Sequence, residues 1–244
     1  MKTVFFKQYS LYLPRWWFAL TIAAVLSFTI VIVVRNIGSY LSVTEPANST
    51  YLVVEGWQDE YSLKKALELF QSNNYKILLT TGGAIKGITK SRYKSYADYA
   101  AAFFLSQGID EDKLVAVPTP DSAQNRTFLS AVMVRKWFEK EGVSLLSVDV
   151  FTEGVHARRT KFLYELAFKN STKIGIYSSI PQSYNISSWW TSSEGAKSVI
   201  TEIVGLTWVS CCFFPGDYGS HQEMWGIYDG IEYPSGTSDL NQKK

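Results

Sequence analysis

The chain has 244 residues, 46% hydrophobic, 19% charged and 15% aromatic, enough for one α/β domain with an appendage and too apolar for a disordered protein. Two cysteines exclude a disulfide-stapled mini-protein and a Cys-rich zinc module, and two histidines, His156 and His221, leave little for a histidine-based metal site. The net charge of +2 hides an asymmetry. Lys2, Lys7, Arg15 and Arg35 fall in the first 40 residues with no acid among them, so the remainder is slightly acidic and lacks the basic footprint of a nucleic-acid binder.

Residues 1–15 read as a basic segment and 16–35 as a transmembrane anchor. Trp16–Val34 carries no charge, and its only polar members are Thr21, Ser27 and Thr29. As a helix it spans about 28 Å, close to the hydrocarbon thickness of a bilayer. A buried core helix would show a polar face, and a cleaved signal peptide would have a shorter apolar core and a small-x-small cleavage site. The run shows neither. More positive charge precedes the span than follows it, so the N-terminus is expected to face the cytoplasm and the rest to lie outside.

Residues 36–50 read as a linker, with Thr44-Glu-Pro-Ala-Asn-Ser-Thr50 polar and broken by Pro46. From 51 to 210 short apolar runs alternate with helical patterns. The strand-like runs are Tyr51–Val54, Lys76–Thr81, Leu114–Val117, Leu145–Phe151 and Ile174–Ser178. Between them Leu63, Ala66, Leu67 and Phe70 recur at helical spacing behind Asp59, as do Leu129, Val132, Met133 and Trp137, and Leu163, Leu166 and Ala167. A further helix runs to Gln107, and a last long one places Ile200, Ile203, Val204, Thr207 and Trp208 on one expected core face. This order predicts an α/β, Rossmann-like three-layer domain with a mostly parallel sheet of about five strands, buried on both faces. Residues 211–244 read as an irregular tail, partly packed through Trp225, Ile227 and Tyr228, and Cys211 and Cys212 are expected to be two buried thiols acting as small hydrophobes.

Ligands of such sheets bind beyond the carboxyl ends of the strands, near a topological switch. There the sequence places Glu55 and Gly56, then Gly82 and Gly83, then Asp121, Ser122, Gln124, Asn125, Arg126 and Thr127, then Glu153, Gly154, His156, Arg158 and Arg159. Gly82 and Gly83 could cradle an anion with backbone N–H groups or simply form a tight turn. Arg126, Arg158 and Arg159, with Asn125 and Thr127, are candidate anion ligands, because free N–H groups and the dipole of a helix N-terminus favour negative charge. Glu55, Glu153 and His156 are candidate acid–base groups, with pairing of the two carboxylates to Arg126 and Arg158 as the alternative. No P-loop, nucleophile elbow or zinc-protease motif occurs, and neither a metal nor a cofactor is expected.

The stretches Val53-Val-Glu-Gly-Trp57, Leu79-Thr-Thr-Gly-Gly83, Asn125-Arg-Thr127 and Thr152-Glu-Gly-Val-His-Ala-Arg-Arg159, with Trp189-Trp190, Glu194-Gly195 and Glu202, resemble the YdcF-like proteins, the SanA/ElyC group carrying a domain of unknown function. The resemblance runs from about Tyr51 to Trp208 and departs at Asn125, where an acidic residue is expected. It implies a Rossmann-like domain, often membrane-anchored and facing the periplasm, linked to bacterial cell-envelope and cell-wall biogenesis. The activity of the group is not settled; the nucleotide-type ligand suggested for its soluble relatives does not carry over to a periplasmic domain.

Two functions are expected from these features. In the first, the protein binds or processes an anionic, phosphorylated or lipid-linked envelope precursor at the strand ends. In the second, it is a non-catalytic envelope scaffold presenting Trp189, Trp190, Trp208 and Trp225, although core packing of most of these is the blander reading.

Overall fold

The computed structural model describes residues 14–85, 92–120, 122 and 125–215. Lys2, Lys7, the loop at 86–91, Asp121, Gln124 and the tail from 216, with His221, Trp225, Ile227 and Tyr228, lie outside them. The chain divides into two units, residues 1–37 and 38–244.

The first unit is dominated by helix α1 (Trp16–Leu41), which is long and apolar enough to cross a membrane. Every residue from Trp16 to Val33 is exposed. Thr21 and Thr29 donate their hydroxyls back to the carbonyls of Trp17 and Val25, both at 2.9 Å, so neither leaves a polar group unsatisfied on an apolar surface. The helix does not stop at Arg35 as the charge pattern suggested. No proline interrupts it, and it continues to Leu41, whose side chain is buried in the second unit.

The second unit is built from β1 (Tyr51–Glu55), α2 (Glu60–Ser72), β2 (Ile77–Gly82), α3 (Tyr96–Ser106), β3 (Leu114–Pro118), α4 (Arg126–Lys140), β4 (Ser147–Glu153), α5 (Ala157–Ala167), β5 (Lys173–Ser179) and α6 (Ser193–Cys211). The five strands form one parallel sheet in the order β3-β2-β1-β4-β5. Alternate residues feed two cores, as the two-residue period of a strand requires. Leu52, Val54, Leu78 and Phe151 pack with α2 and α3 on one face. Val53, Leu79, Val148, Val150 and Ile176 pack with α4 and α5 on the other. The strands therefore read as continuous apolar runs, and the expected three-layer α/β architecture is the observed one.

Three expectations are corrected. The segment expected to be a free linker is bound to the sheet. Glu45 exchanges backbone hydrogen bonds with Ile176 of β5, and Ala47 and Ser49 donate their N–H groups to the two oxygens of Asp149 at 2.7 and 2.9 Å. Tyr75 donates its hydroxyl to the same carboxylate at 2.9 Å. Gly175 makes room for this arrangement, since a Cβ there would stand 1.8 Å from Asp149 Oδ1 and 2.3 Å from Ala47 N. The composition of 44–50 is that of a loop, but a buried carboxylate at 0% exposure captures its amides and makes it part of the domain.

The second correction concerns α6. Ile200, Val204 and Trp208, expected to face the core, are exposed, and Val199, Glu202 and Val209 are buried instead. Glu202 faces inward with Val199 and Val209 and pairs there with Arg159, and Leu206 packs against the core. Cys211 and Cys212, finally, are exposed and joined in a disulfide rather than buried as thiols. Val209 and Phe213 anchor the end of α6 in the core on either side of them, which leaves the pair outside.

Asp149→Asn is expected to destabilise the second unit by about 2–4 kcal/mol, because an amide offers one acceptor oxygen where three donors converge. Thermal or denaturant unfolding of the full chain checks this, and the loss should come with faster amide exchange at Ala47 and Ser49.

Candidate functional site

Strands β1, β2 and β3 are laid down in one direction and β4 and β5 in the other, so the topological switch falls between β1 and β4. Their carboxyl ends deliver Glu55 and Thr152. These lie one step past the Val54–Phe151 pair on the face covered by α4 and α5, and Thr152 donates its hydroxyl to Glu55. Glu55 is 2% exposed. Thr81, paired with it across β2, and Tyr164 of α5 bury hydroxyls that have no partner among the described residues. Burial, reinforced by the Glu55 charge, pushes the Tyr164 phenol well above its ordinary range and keeps it a neutral donor.

After β4 the chain makes a short 3-10 turn, Gly154–His156, directly into α5. This places His156 over Glu55, with Nε2 3.8 Å from the carboxylate and 3.4 Å from Thr127 Oγ1. On the other side of the ring, Nδ1 lies 2.9 Å from Glu202 Oε1. Glu202 in turn holds Arg159 in a bidentate pair, at 2.8 and 2.9 Å. Arg159 also comes within 3.0 Å of Nδ1. A guanidinium only donates, and the carboxylate between them accepts from both, so Nδ1–H donates to Glu202 and Nε2 is left as the atom facing the cleft. Trp57 packs edge-on against the imidazole, ring centroids 5.4 Å apart. Burial alone would push the Glu202 carboxyl up; hydrogen bonds from Arg159 and His156, together with their charges, override it and hold the group down at about 2.

This cluster forms one wall of a cleft of about 900 Å³, within the range of small-molecule sites. Gly82, Gly83, Asn125, Arg126 and Thr127 line it from the neighbouring strand ends, as the sequence suggested. Gly82, at φ +153°, lies where a Cβ would be 2.8 Å from Tyr96, so close packing of α3 is a sufficient reason for it. Asn125 adopts a left-handed conformation, φ 51°, which short polar residues tolerate best. The N-terminus of α4 opens on the cleft with no acidic residue in the first turn and no side-chain cap, whereas α5 continues the 3-10 turn Gly154–His156, whose Gly154 carbonyl accepts the Ala157 N–H. The N-termini of α2, α3 and α6 are capped by Asp59, Ser95 and Ser192. The α4 N-terminus at the cleft is suited to an anion.

The remaining candidates separate. Glu153 lines a smaller neighbouring pocket of about 310 Å³ with Tyr184 and Lys197, so it does not oppose Glu55 across one cleft. Burial, then the nearby Asp59 charge, raises its carboxyl, against the opposing pull of His156. Arg158 leaves the site altogether. Its guanidinium stacks 3.8 Å over the Tyr40 ring and donates to the Tyr40 carbonyl. Neither Glu55 nor Glu153 pairs with Arg126 or Arg158 among the described residues. Glu202 came forward from the sequence only through the family resemblance. Its residue-level signal is a lone carboxylate inside the apolar run Val199–Trp208.

The arrangement supplies an oriented imidazole, an adjacent buried carboxylate and, in the same cleft, the N-terminus of α4 with Arg126. It can bind an anion and move a proton beside it. The chain matches no protein-family model and no curated protein, so this reading rests on its own geometry.

Because the folded-state value of Glu202 lies below its usual 4.5, its ion pair contributes in full above about pH 4.5 and is lost as pH falls toward 2. The contribution is about 3 kcal/mol. Glu202→Gln should lower stability at pH 7 by about this amount and flatten the acid limb of the unfolding curve, checked by denaturant midpoints at pH 7 and pH 3.

Proposed function

We propose that this is a membrane-anchored, extracytoplasmic protein of the bacterial cell envelope that binds an anionic envelope precursor at the strand ends and acts on it through His156. The observation that carries the reading is the uncapped, acid-free N-terminus of α4, opening with Arg126 into a cleft that also holds an oriented histidine. The YdcF-like motifs support an envelope role. The positive charge before α1 supports a cytoplasmic N-terminus with the domain outside.

In this reading the anion sits at the N-terminus of α4 and on the Arg126 guanidinium. Glu202, neutralised by Arg159, fixes the imidazole so that Nε2 points at the bound group. Nε2 takes a proton from an attacking hydroxyl or water, or returns one to a leaving oxygen, and Glu55 stabilises the imidazolium so formed. Thr127 Oγ1, 3.4 Å from Nε2, is a hydroxyl of this chain beside that exchange.

The scaffold reading draws on Trp190, 41% exposed, whereas Trp189 is buried. Complementation of a null strain separates the two. A Glu55/Glu153/His156 triple-alanine protein that restores the envelope favours the scaffold, and one that fails while folded favours the site.

Titration of the full chain in zwitterionic bilayer discs with inorganic phosphate and dimethylallyl phosphate should show Arg126→Ala weakening binding by about tenfold or more. His156→Ala should leave binding nearly intact. Equal affinities for wild type and Arg126→Ala would remove this anion site.

A further inference from the structure

We propose that the ligand of the cleft carries a hydrocarbon chain, and that the solvent face of α6 is the track on which that chain lies; this rests on the anion-binding reading and names the other half of the ligand. Ile200, Val204 and Trp208 succeed one another at four-residue spacing and form one ridge about 12 Å long. They are 55%, 64% and 45% exposed. Scattered exposed apolar side chains are ordinary on protein surfaces, but a contiguous row marks a contact. No charged residue occurs from Ile203 to Pro215, and the one carboxylate just before, Glu202, is turned inward to Arg159. Ser210 on the same helix returns its hydroxyl to the Leu206 carbonyl at 2.7 Å. The ridge thus offers an apolar surface with few hydrogen-bonding demands, which suits a hydrocarbon chain.

The ridge is continuous with the site. Trp208 belongs both to it and to the wall of the cleft, beside Glu202 and Gly205. Its ring meets Phe213, centroids 5.3 Å apart, and Phe213 packs edge-on against the cleft residue Phe128 at 5.1 Å. A ligand whose anionic head sits at Arg126 and the α4 N-terminus therefore finds, at the cleft mouth, an aromatic lip leading onto Val204 and Ile200. The geometry suits an amphiphile, an anionic head on a hydrocarbon chain, better than a small free anion. A row that served the bilayer alone would have no need to converge on the cleft.

The test compares dimethylallyl phosphate with farnesyl phosphate on the full chain in zwitterionic bilayer discs, for wild type and for Ile200→Ser/Val204→Ser. Partition of the longer probe into lipid is common to both proteins, so the ratio of the two affinities reads the contact of the chain with α6. Both substitutions are at exposed positions, and unchanged thermal unfolding establishes that the fold is kept. The expected result is an affinity ratio about tenfold or more larger for wild type than for the double variant, with dimethylallyl phosphate binding unchanged. An equal ratio in the two proteins overturns the track and leaves the anion site standing. Failure of every phosphate to bind removes the anion reading and this inference with it.

Discussion

A sheet in which all strands run the same way imposes a constraint from which most of this domain follows. Each connection has to cross a face of the sheet, so every strand ends on the same edge. Because β4 returns to the far side of β1, the helices that follow β1 and β2 lie on one face and those that follow β3 and β4 on the other. The crevice between them cannot be filled by a connection. Glu55, Thr152 and His156 are placed there by backbone topology before any side-chain interaction among them is considered.

The polar groups at the two ends of β4 show how the same physics gives different outcomes. Asp149, near its start, is buried and satisfied by two backbone amides and a tyrosine, and its effect is to fasten residues 44–50 to the domain. At the other end Glu55 has a hydroxyl donor and a histidine within 4 Å, and Glu202 is balanced by a bidentate arginine. A buried charge has to be paired. Pairing Glu202 with Arg159 spends the positive charge nearest the histidine and leaves Arg126 and the α4 N-terminus as the attractive features for an anion. Arg158, one residue before Arg159, points the other way and is absorbed by Tyr40.

The fold was legible because its cause is local. Val53, Leu79 and Val150 sit in short apolar runs, and Leu63, Ala66, Leu67 and Phe70 repeat at helical spacing; all of them are buried. The same reasoning failed on α6, where Val199, Leu206 and Val209 repeat at helical spacing as well as Ile200, Val204 and Trp208, and it is the first set, with Glu202, that meets the domain. It failed on 44–50 because hydrogen bonding to a distant buried carboxylate leaves no trace in loop composition. Within the site, Glu55, His156, Arg126, Asn125, Thr127 and the glycine pair were legible from their position after strands. Glu153 and Arg158 were legible as strand-end residues but not as outsiders to the cleft, because a one-residue step along a strand or helix reverses or rotates the direction of a side chain.

The sequence by itself determined that a long apolar N-terminal helix precedes an acidic α/β domain, and that functional groups gather at its strand ends. Hydrophobic period, charge distribution and the order of elements are properties of the chain read locally, and these follow from them. Only the tertiary structure decided which arginine joins the histidine, that a carboxylate 46 residues further on orients its ring, that the cysteines are paired, and which face of α6 meets solvent. Those outcomes depend on distances between elements far apart in sequence, fixed when the packed sheet brings their ends together.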